Sequence, residues 1–128
     1  MLLLDTCALI WLVEDLSALS GNAKKAILQN PDDIYVSAIS ALEISLLVEK
    51  KRLELPSEPF KWYSAAIRLH GLKEIAIDGE IAAMSGKLSP IHKDPCDRIV
   101  IATAMLKKLG IVTSDKIFRE YKNIKVIW

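Results

Sequence analysis

The sequence predicts an α/β fold, a central and mainly parallel sheet of about five strands with helices on both faces. Three observations carry this. Short, wholly apolar runs recur along the chain and fit strands buried on both sides. Longer segments with helical patterning lie between them. Proline, glycine or a helix-capping residue marks most of the boundaries. Short strands separated by helices imply right-handed crossovers, hence parallel pairing in a three-layer α/β/α sandwich.

The elements follow in order. Leu2-Leu3-Leu4 is a strand, and Cys7 to Val13 is too apolar for a surface helix and reads as a buried one. Ser20-Gly21-Asn22 opens an amphipathic helix, with Ala23, Ala26 and Ile27 inward and Lys24, Lys25 and Gln29 outward. Pro31-Asp32-Asp33 turns the chain into a second strand, Ile34-Tyr35-Val36. A long helix runs from about Ala38 to Arg52 on an apolar stripe of Ile39, Leu42, Leu46 and Leu47, and stops before Pro56 and Pro59. Phe60 to Leu69 is a helix ended by Gly71, and Glu74 to Ile77 a third strand. Asp78 caps a helix from Glu80 to Leu88; Asp94 with Pro95 starts another from Cys96 to Leu109, terminated by Gly110. Ile111 to Thr113 and Lys125 to Ile127 are the last strands, around a short helix from Lys116 to Tyr121.

With 128 residues, 52% of them hydrophobic, the chain suits one domain spanning 1–128 with a real core. A formal net charge of +1 advertises no global attraction for nucleic acid, so any such substrate depends on local basic patches and bound metal. Two cysteines, Cys7 and Cys96, suit a reduced compartment. The apolar start lacks a basic leading segment and carries Asp5, and no run reaches the roughly 18 apolar residues of a membrane span. The chain reads as soluble and cytoplasmic.

Four carboxylates stand where charge is out of place. Asp5 ends the first apolar strand, Glu43 interrupts Ala41-Leu42-Glu43-Ile44, Asp97 opens an apolar helix, and Asp115 follows Ile111-Val112-Thr113-Ser114. Desolvating an unpaired carboxylate costs several kcal/mol by transfer estimates, roughly 2–7 even for a neutral polar group. A hard divalent cation keeps such a set ionised. Ligands of parallel sheets bind beyond the carboxyl ends of the strands, where Asp5 and Asp115 fall. Each acid also has a plain structural reading. Asp5 and Asp115 would cap the following helices, Glu43 would complete a capping box begun by Ser40, and Asp97 would complement its helix dipole. Convergence of all four on one sheet edge favours the metal. Asp78 and Asp94 read as caps, with an accessory metal role for Asp94 kept open by its nearness to Asp97.

Leu4-Asp5-Thr6, Glu43 in a helix, His92-Lys93-Asp94-Pro95-Cys96-Asp97-Arg98 before Ile101-Ala102-Thr103-Ala104, and Thr113-Ser114-Asp115 together resemble the PIN-domain nucleases. Within that family they are most similar to the small VapC-like ribonuclease toxins of type II toxin–antitoxin pairs. The resemblance runs the length of the chain. It implies a PIN-like fold and makes Asp5, Glu43, Asp97 and Asp115 the acidic active-site quartet, with Thr6 and Ser114 the adjoining hydroxyls. It implies one or two Mg²⁺ or Mn²⁺ ions held by Asp5 and Asp97, with Glu43 and Asp115 binding directly or through water, for hydrolysis of RNA. It further implies a cognate antitoxin and a homodimer. Cys7 and Cys96 depart from the His and Phe that relatives tend to carry there, and both read as buried small hydrophobes.

Other residues fill out the candidate site. Arg98 reads as the partner of a nearby acid ahead of a substrate contact. Lys116, Arg119 and Lys122 form a basic stripe beside Asp115, by default a solvated face and alternatively a contact to the RNA backbone. His92 is read as a hydrogen-bonding loop residue ahead of a general base. Trp11 and Trp62 suit core or interface positions. Two competing readings are a non-catalytic α/β protein-binding module and a phosphatase of the haloacid-dehalogenase type. The latter needs a second Asp two residues after the nucleophile, where this chain has Cys7.

Overall fold

The computed structural model describes residues 1–128. Its elements are β1 (Leu2–Leu4), α1 (Thr6–Glu14), α2 (Gly21–Gln29), β2 (Ile34–Ser37), α3 (Ile39–Glu49), α4 (Pro59–His70), β3 (Lys73–Ile75), α5 (Gly79–Lys87), α6 (Pro95–Lys107), β4 (Gly110–Val112) and β5 (Val126–Ile127). Single 3₁₀ turns at Leu16–Ala18 and Lys116–Glu120 complete the chain, the first of them not anticipated from sequence. The strands lie in the order β3-β2-β1-β4-β5, and every pairing is parallel. Leu4 stands opposite Val36 on one side and Val112 on the other, so β1 is the centre of the sheet.

Alternation along β1 builds two cores. Leu2 and Leu4 join Leu9, Val36, Ile44, Trp62 and Val112 on one face, and Leu3 joins Val100, Ile101, Ile111 and Phe118 on the other. Leu3 and Leu4 are both fully buried, which is why β1 is apolar without a polar alternate. The predicted five-stranded parallel sheet between helical layers is therefore the observed architecture. No helix is long and apolar enough to cross a membrane.

Most helices begin on a side-chain cap. Asp5, Ser20, Glu58, Asp78 and Asp94 each accept backbone N–H bonds from the first turn that follows. The capping box offered as the alternative reading of Ser40 and Glu43 does not form. Helix α3 starts one residue after Ala38, and the Ser37 hydroxyl accepts from Ile39 N at 3.2 Å. Ser40 is buried and bonds instead to the Thr6 hydroxyl at 2.9 Å. Glu43 is left beyond the first turn with no capping task.

Three further expectations need correction. Gly110 does not end α6. The left-handed residue is Lys108, with φ 57°, and Leu109 N–H closes the helix on the Ala104 carbonyl. Gly110 opens β4, where an added Cβ would lie 3.3 Å from Ile127 Cδ1 and 3.6 Å from Leu2 Cδ2. The α3 stripe does not bury Leu42 and Leu46, which are 50% and 41% exposed, because this helix is apolar on nearly all sides and buries Ile39, Ser40 and Ile44. Cys7 is exposed and Cys96 half-buried, since both sit in the first turns of helices that open on the carboxyl edge of the sheet. Trp62 is a core residue as expected, its indole N–H donating to Glu14 at 2.8 Å, while Trp128 packs against Trp11 at 5.6 Å.

Candidate active site

The sheet reverses its winding at β1, which has β2 on one side and β4 on the other, so the crevice lies beyond the carboxyl ends of β1 and β4. The chain leaves β1 directly into Asp5 and leaves β4 into Thr113-Ser114-Asp115. Helix α3 carries Glu43 to the same edge, and the N-terminus of α6 carries Asp94 and Asp97.

Asp5 is the deepest of the acids, 7% exposed. One carboxylate oxygen accepts from Ala8 N at 2.8 Å and so caps α1, while the other accepts from the Thr113 hydroxyl. Thr113 in turn accepts from Asp115 N at 3.0 Å. A single buried hydroxyl thereby ties Asp5 to the loop that bears Asp115. Sequence inspection gives Thr113 no role of its own within the Thr113-Ser114-Asp115 motif; its place at a strand end two residues before Asp115 is the signal the sequence offers.

His92 holds the other side together. Its Nε2 lies 2.9 Å from Asp115 Oδ2 and 3.1 Å from Asp97 Oδ2. Its Nδ1 accepts from Asp94 N at 3.3 Å, which assigns the ring proton to Nε2 and aims it at the two carboxylates. Phe118 packs against the ring with its plane nearly perpendicular, and the Tyr121 hydroxyl meets the His92 backbone N–H at 2.9 Å. The hydrogen-bonding role favoured from sequence is the one observed, and it lies inside the acidic cluster.

Asp94 has two roles. It caps α6 through Cys96 N and Asp97 N, and its carboxylate lies within 4.8 Å of those of Glu43 and Asp97. Oxygens of Asp97 and Asp115 share a second such grouping with His92. Asp97 is thus the common member, with Asp5 set deeper.

The charges of this cluster are not neutralised by the chain. No Lys or Arg nitrogen comes within ion-pair distance of any of these acids, His92 being the only basic group among them. The consequence appears in their acidity. Burial raises the Asp5 pKa to about 6, against the opposing bonds from Thr113 and Ala8, with Glu43 and Asp115 adding repulsion. Burial likewise lifts Asp97 to about 7, helped by the charges of Asp94 and Glu43 and opposed by His92. The Cys7 thiol, raised to about 12 by desolvation and then by all four acids of the quartet, stays protonated despite the residue's exposure. A donor set made mainly of carboxylates, with no Lys or Arg partner, fits a hard divalent cation.

The remaining candidates divide. Thr6 is buried and spent on Ser40, Ser114 is exposed beside Asp115, and Lys116 is exposed at the start of the 3₁₀ turn. Arg98 does not pair with an acid. Its guanidinium donates to the carbonyls of Ser85, Leu88, Ser89 and His92 at 2.9–3.2 Å, pinning the α5–α6 loop that presents His92. Four backbone carbonyls facing inward leave an Arg fork better satisfied there than at a half-exposed carboxylate.

A parallel α/β sheet with an acidic cluster at the carboxyl edge of its central strand is an arrangement suited to metal-assisted chemistry on a phosphate. Residues 2–124 match the PIN domain model, and the chain belongs to the PIN-domain family. It is 30% identical over 122 residues to Ribonuclease VapC22 of Mycobacterium tuberculosis, covering 94% of this chain and 92% of that protein. Its fold is similar to that in the DNA-bound VapBC structure from Salmonella typhimurium, with TM-score 0.69 at 18% identity over 98% of this chain and 95% of that one. A toxin–antitoxin complex from Klebsiella pneumoniae gives TM-score 0.65 at 26% identity, over 97% and 95% of the two chains.

Proposed function

We propose that this chain is a metal-dependent endoribonuclease and the toxin of a type II toxin–antitoxin pair. The observation that carries the reading is the unneutralised acidic cluster at the switch point of a PIN fold, in which Asp97 is grouped with Glu43 on one side and Asp115 on the other and Asp5 lies deeper, within reach of the charges of Glu43 and Asp115. A relative of comparable length at 30% identity is a ribonuclease, which supports RNA as the substrate. Asp5 and Asp97 would hold Mg²⁺ or Mn²⁺, with Glu43 and Asp115 completing the set. A divalent cation there supplies charge for the scissile phosphate and an acidic water. The protein's own part is orientation. Thr113 fixes Asp5, His92 fixes Asp97 and Asp115 through one N–H, and the apolar core beneath Asp5 keeps bulk water from the inner side.

Similarity to toxin–antitoxin structures supports a cognate antitoxin. An apolar groove of about 300 Å³ lined by Leu12, Leu16, Leu19, Ile27 and Leu28 suits one face of an amphipathic helix. An Arg from such a partner among the four acids would replace the metal's charge. Exposed Phe60 and Leu69 on α4, 67% and 74% accessible, favour a homodimer. The chain would act in the cytoplasm as one PIN domain.

Purified protein should cut RNA with Mg²⁺ or Mn²⁺ and stop when the metal is chelated. Asp5→Asn and Asp97→Asn should each lower the rate by at least about 10²-fold, the scale of a lost electrostatic element. Undiminished cleavage by Asp5→Asn protein would exclude the assignment.

A further inference from the structure

A cleft of about 230 Å³ leads away from the acidic cluster along α3. Glu43 and Asp94 line its acidic end, Lys50 and Arg52 line it as well, and Leu46 and Leu47 form apolar wall. Glu43, Leu46, Leu47 and Lys50 follow one another at helical spacing on a single face of α3. Seven residues at about 1.5 Å each put Lys50 roughly 10 Å along the axis from Glu43.

Arg52 reaches this cleft because of how α3 ends. Lys51 takes the left-handed conformation, φ 58°, where glycine is the usual choice. Its N–H bonds to Val48 O at 3.0 Å, and Arg52 N–H returns to Leu47 O at 2.9 Å. The reversal brings Arg52 back beside the turn that carries Leu47 and Lys50. Neither Lys50 nor Arg52 has a carboxylate within ion-pair distance, although Glu43 and Asp94 line the same cleft. The cleft keeps its two signs of charge apart.

On the ribonuclease reading above, we infer that this cleft is a subsite for the RNA backbone. The scissile phosphate lies at the acidic end with the metal, and Lys50 and Arg52 hold a neighbouring phosphate. Leu46 and Leu47 offer an apolar surface to the sugar and base between them. A chain with net charge of only +1 needs such a local contact to offset repulsion between its acidic cluster and a polyanion. The competing account is that Lys50 and Arg52 only complement the negative end of the α3 dipole.

Binding of a short labelled oligoribonucleotide separates the two, measured with Mn²⁺ over a series of KCl concentrations on an Asp5→Asn background that spares the RNA. Adding Lys50→Ala and Arg52→Ala together should weaken binding about tenfold and flatten the salt dependence by roughly 0.7 in slope per lost phosphate contact. Mn²⁺ affinity by calorimetry, compared between the parent and a Lys50→Ala/Arg52→Ala protein that both keep Asp5, should not change. A single methylphosphonate beside the cut position should weaken binding to the parent and leave the Lys50→Ala/Arg52→Ala protein unaffected. Unchanged RNA affinity and slope, with only the melting temperature lowered, would establish the dipole account and overturn the subsite while ribonuclease activity in the unmodified protein stands. Unmodified protein that neither binds nor cuts RNA would remove the ribonuclease reading and the subsite together.

Discussion

Leu4 and Asp5 are adjacent in the chain and nearly equal in burial, at 0% and 7% exposure, yet they belong to opposite parts of the energetic balance. Leu4 is covered by β2, β4 and the first core, where burial itself is the stabilising term. Asp5 is covered by the same framework, and burial drives its pKa up to about 6. Two donors hold its carboxylate without cancelling that effect. The contrast teaches where this fold keeps its stability and where it gives some up. The strand interior holds the molecule together, and the strand end holds charge that only a cation fully satisfies.

The comparison is sharpened first from the apolar side. Leu4→Ala should lower unfolding free energy by about 2–5 kcal/mol, the range for buried leucines. Denaturant titration will show this as a reduced midpoint with little change in slope. A loss below about 1 kcal/mol would mean that the centre of the sheet collapses around the gap, and that the asymmetry with Asp5 is smaller than drawn.

From the acidic side the effect reverses in sign. Asp5→Asn should stabilise metal-free protein at pH 8 by about 1–3 kcal/mol, at roughly 1.4 kcal/mol per unit of pKa shift and discounted for relaxation. The Asn amide still offers an oxygen to Ala8 N and can donate to Thr113, so the local geometry survives. The pH dependence follows. Asp5 and Asp97 have folded pKa values of about 6 and about 7, above the ordinary 3.8, so the folded state binds more protons than the unfolded one between those limits. Stability from these groups is complete below pH 4 and is lost as pH rises through 6 and 7. Metal-free protein should therefore melt at lower temperature at pH 8 than near pH 5, and Mn²⁺ should restore the difference. An Asp5→Asn/Asp97→Asn protein with the same pH trend as the parent would show that the cluster is not its source.

The smallest effect tests whether strain also gathers at the functional edge. Lys108 is left-handed at the end of α6, away from the acids. Lys108→Gly should raise stability by about 0.5–1 kcal/mol, read as a higher melting temperature, because glycine takes that conformation without its Cβ clash. No gain would indicate that the Lys side chain makes compensating contacts.

Much of this was legible in the chain because the relevant signals are local. Leu2-Leu3-Leu4 has no polar alternate, which identifies a central strand, and Asp78 and Asp94 stand before helix starts and act as caps. The order of elements then placed Asp5, Asp97 and Asp115 at one edge. What escaped is what depends on three-dimensional neighbours. Arg98 was paired with an acid because four converging carbonyls cannot be seen in sequence. Cys7 was sent inward because α1 is apolar, although the second position of the helix faces the open edge. Thr113 has no visible partner in the sequence, because only the parallel pairing of β1 with β4 sets it against Asp5.

That pairing also fixes the moment at which the site comes into being. The hydroxyl of Thr113 and the carboxylate of Asp5 meet across 108 residues of chain. Contacts of such long range form late, because the loop between them must close before they yield anything. Synthesis runs from Asp5 through the intervening strands and helices before it reaches Asp115. β1 can pair with β2 early, but the acidic edge stays incomplete until β4 arrives. On the ribonuclease reading, no cutting edge exists before β4 is made, and a partner that needs the finished surface has that interval in which to be present.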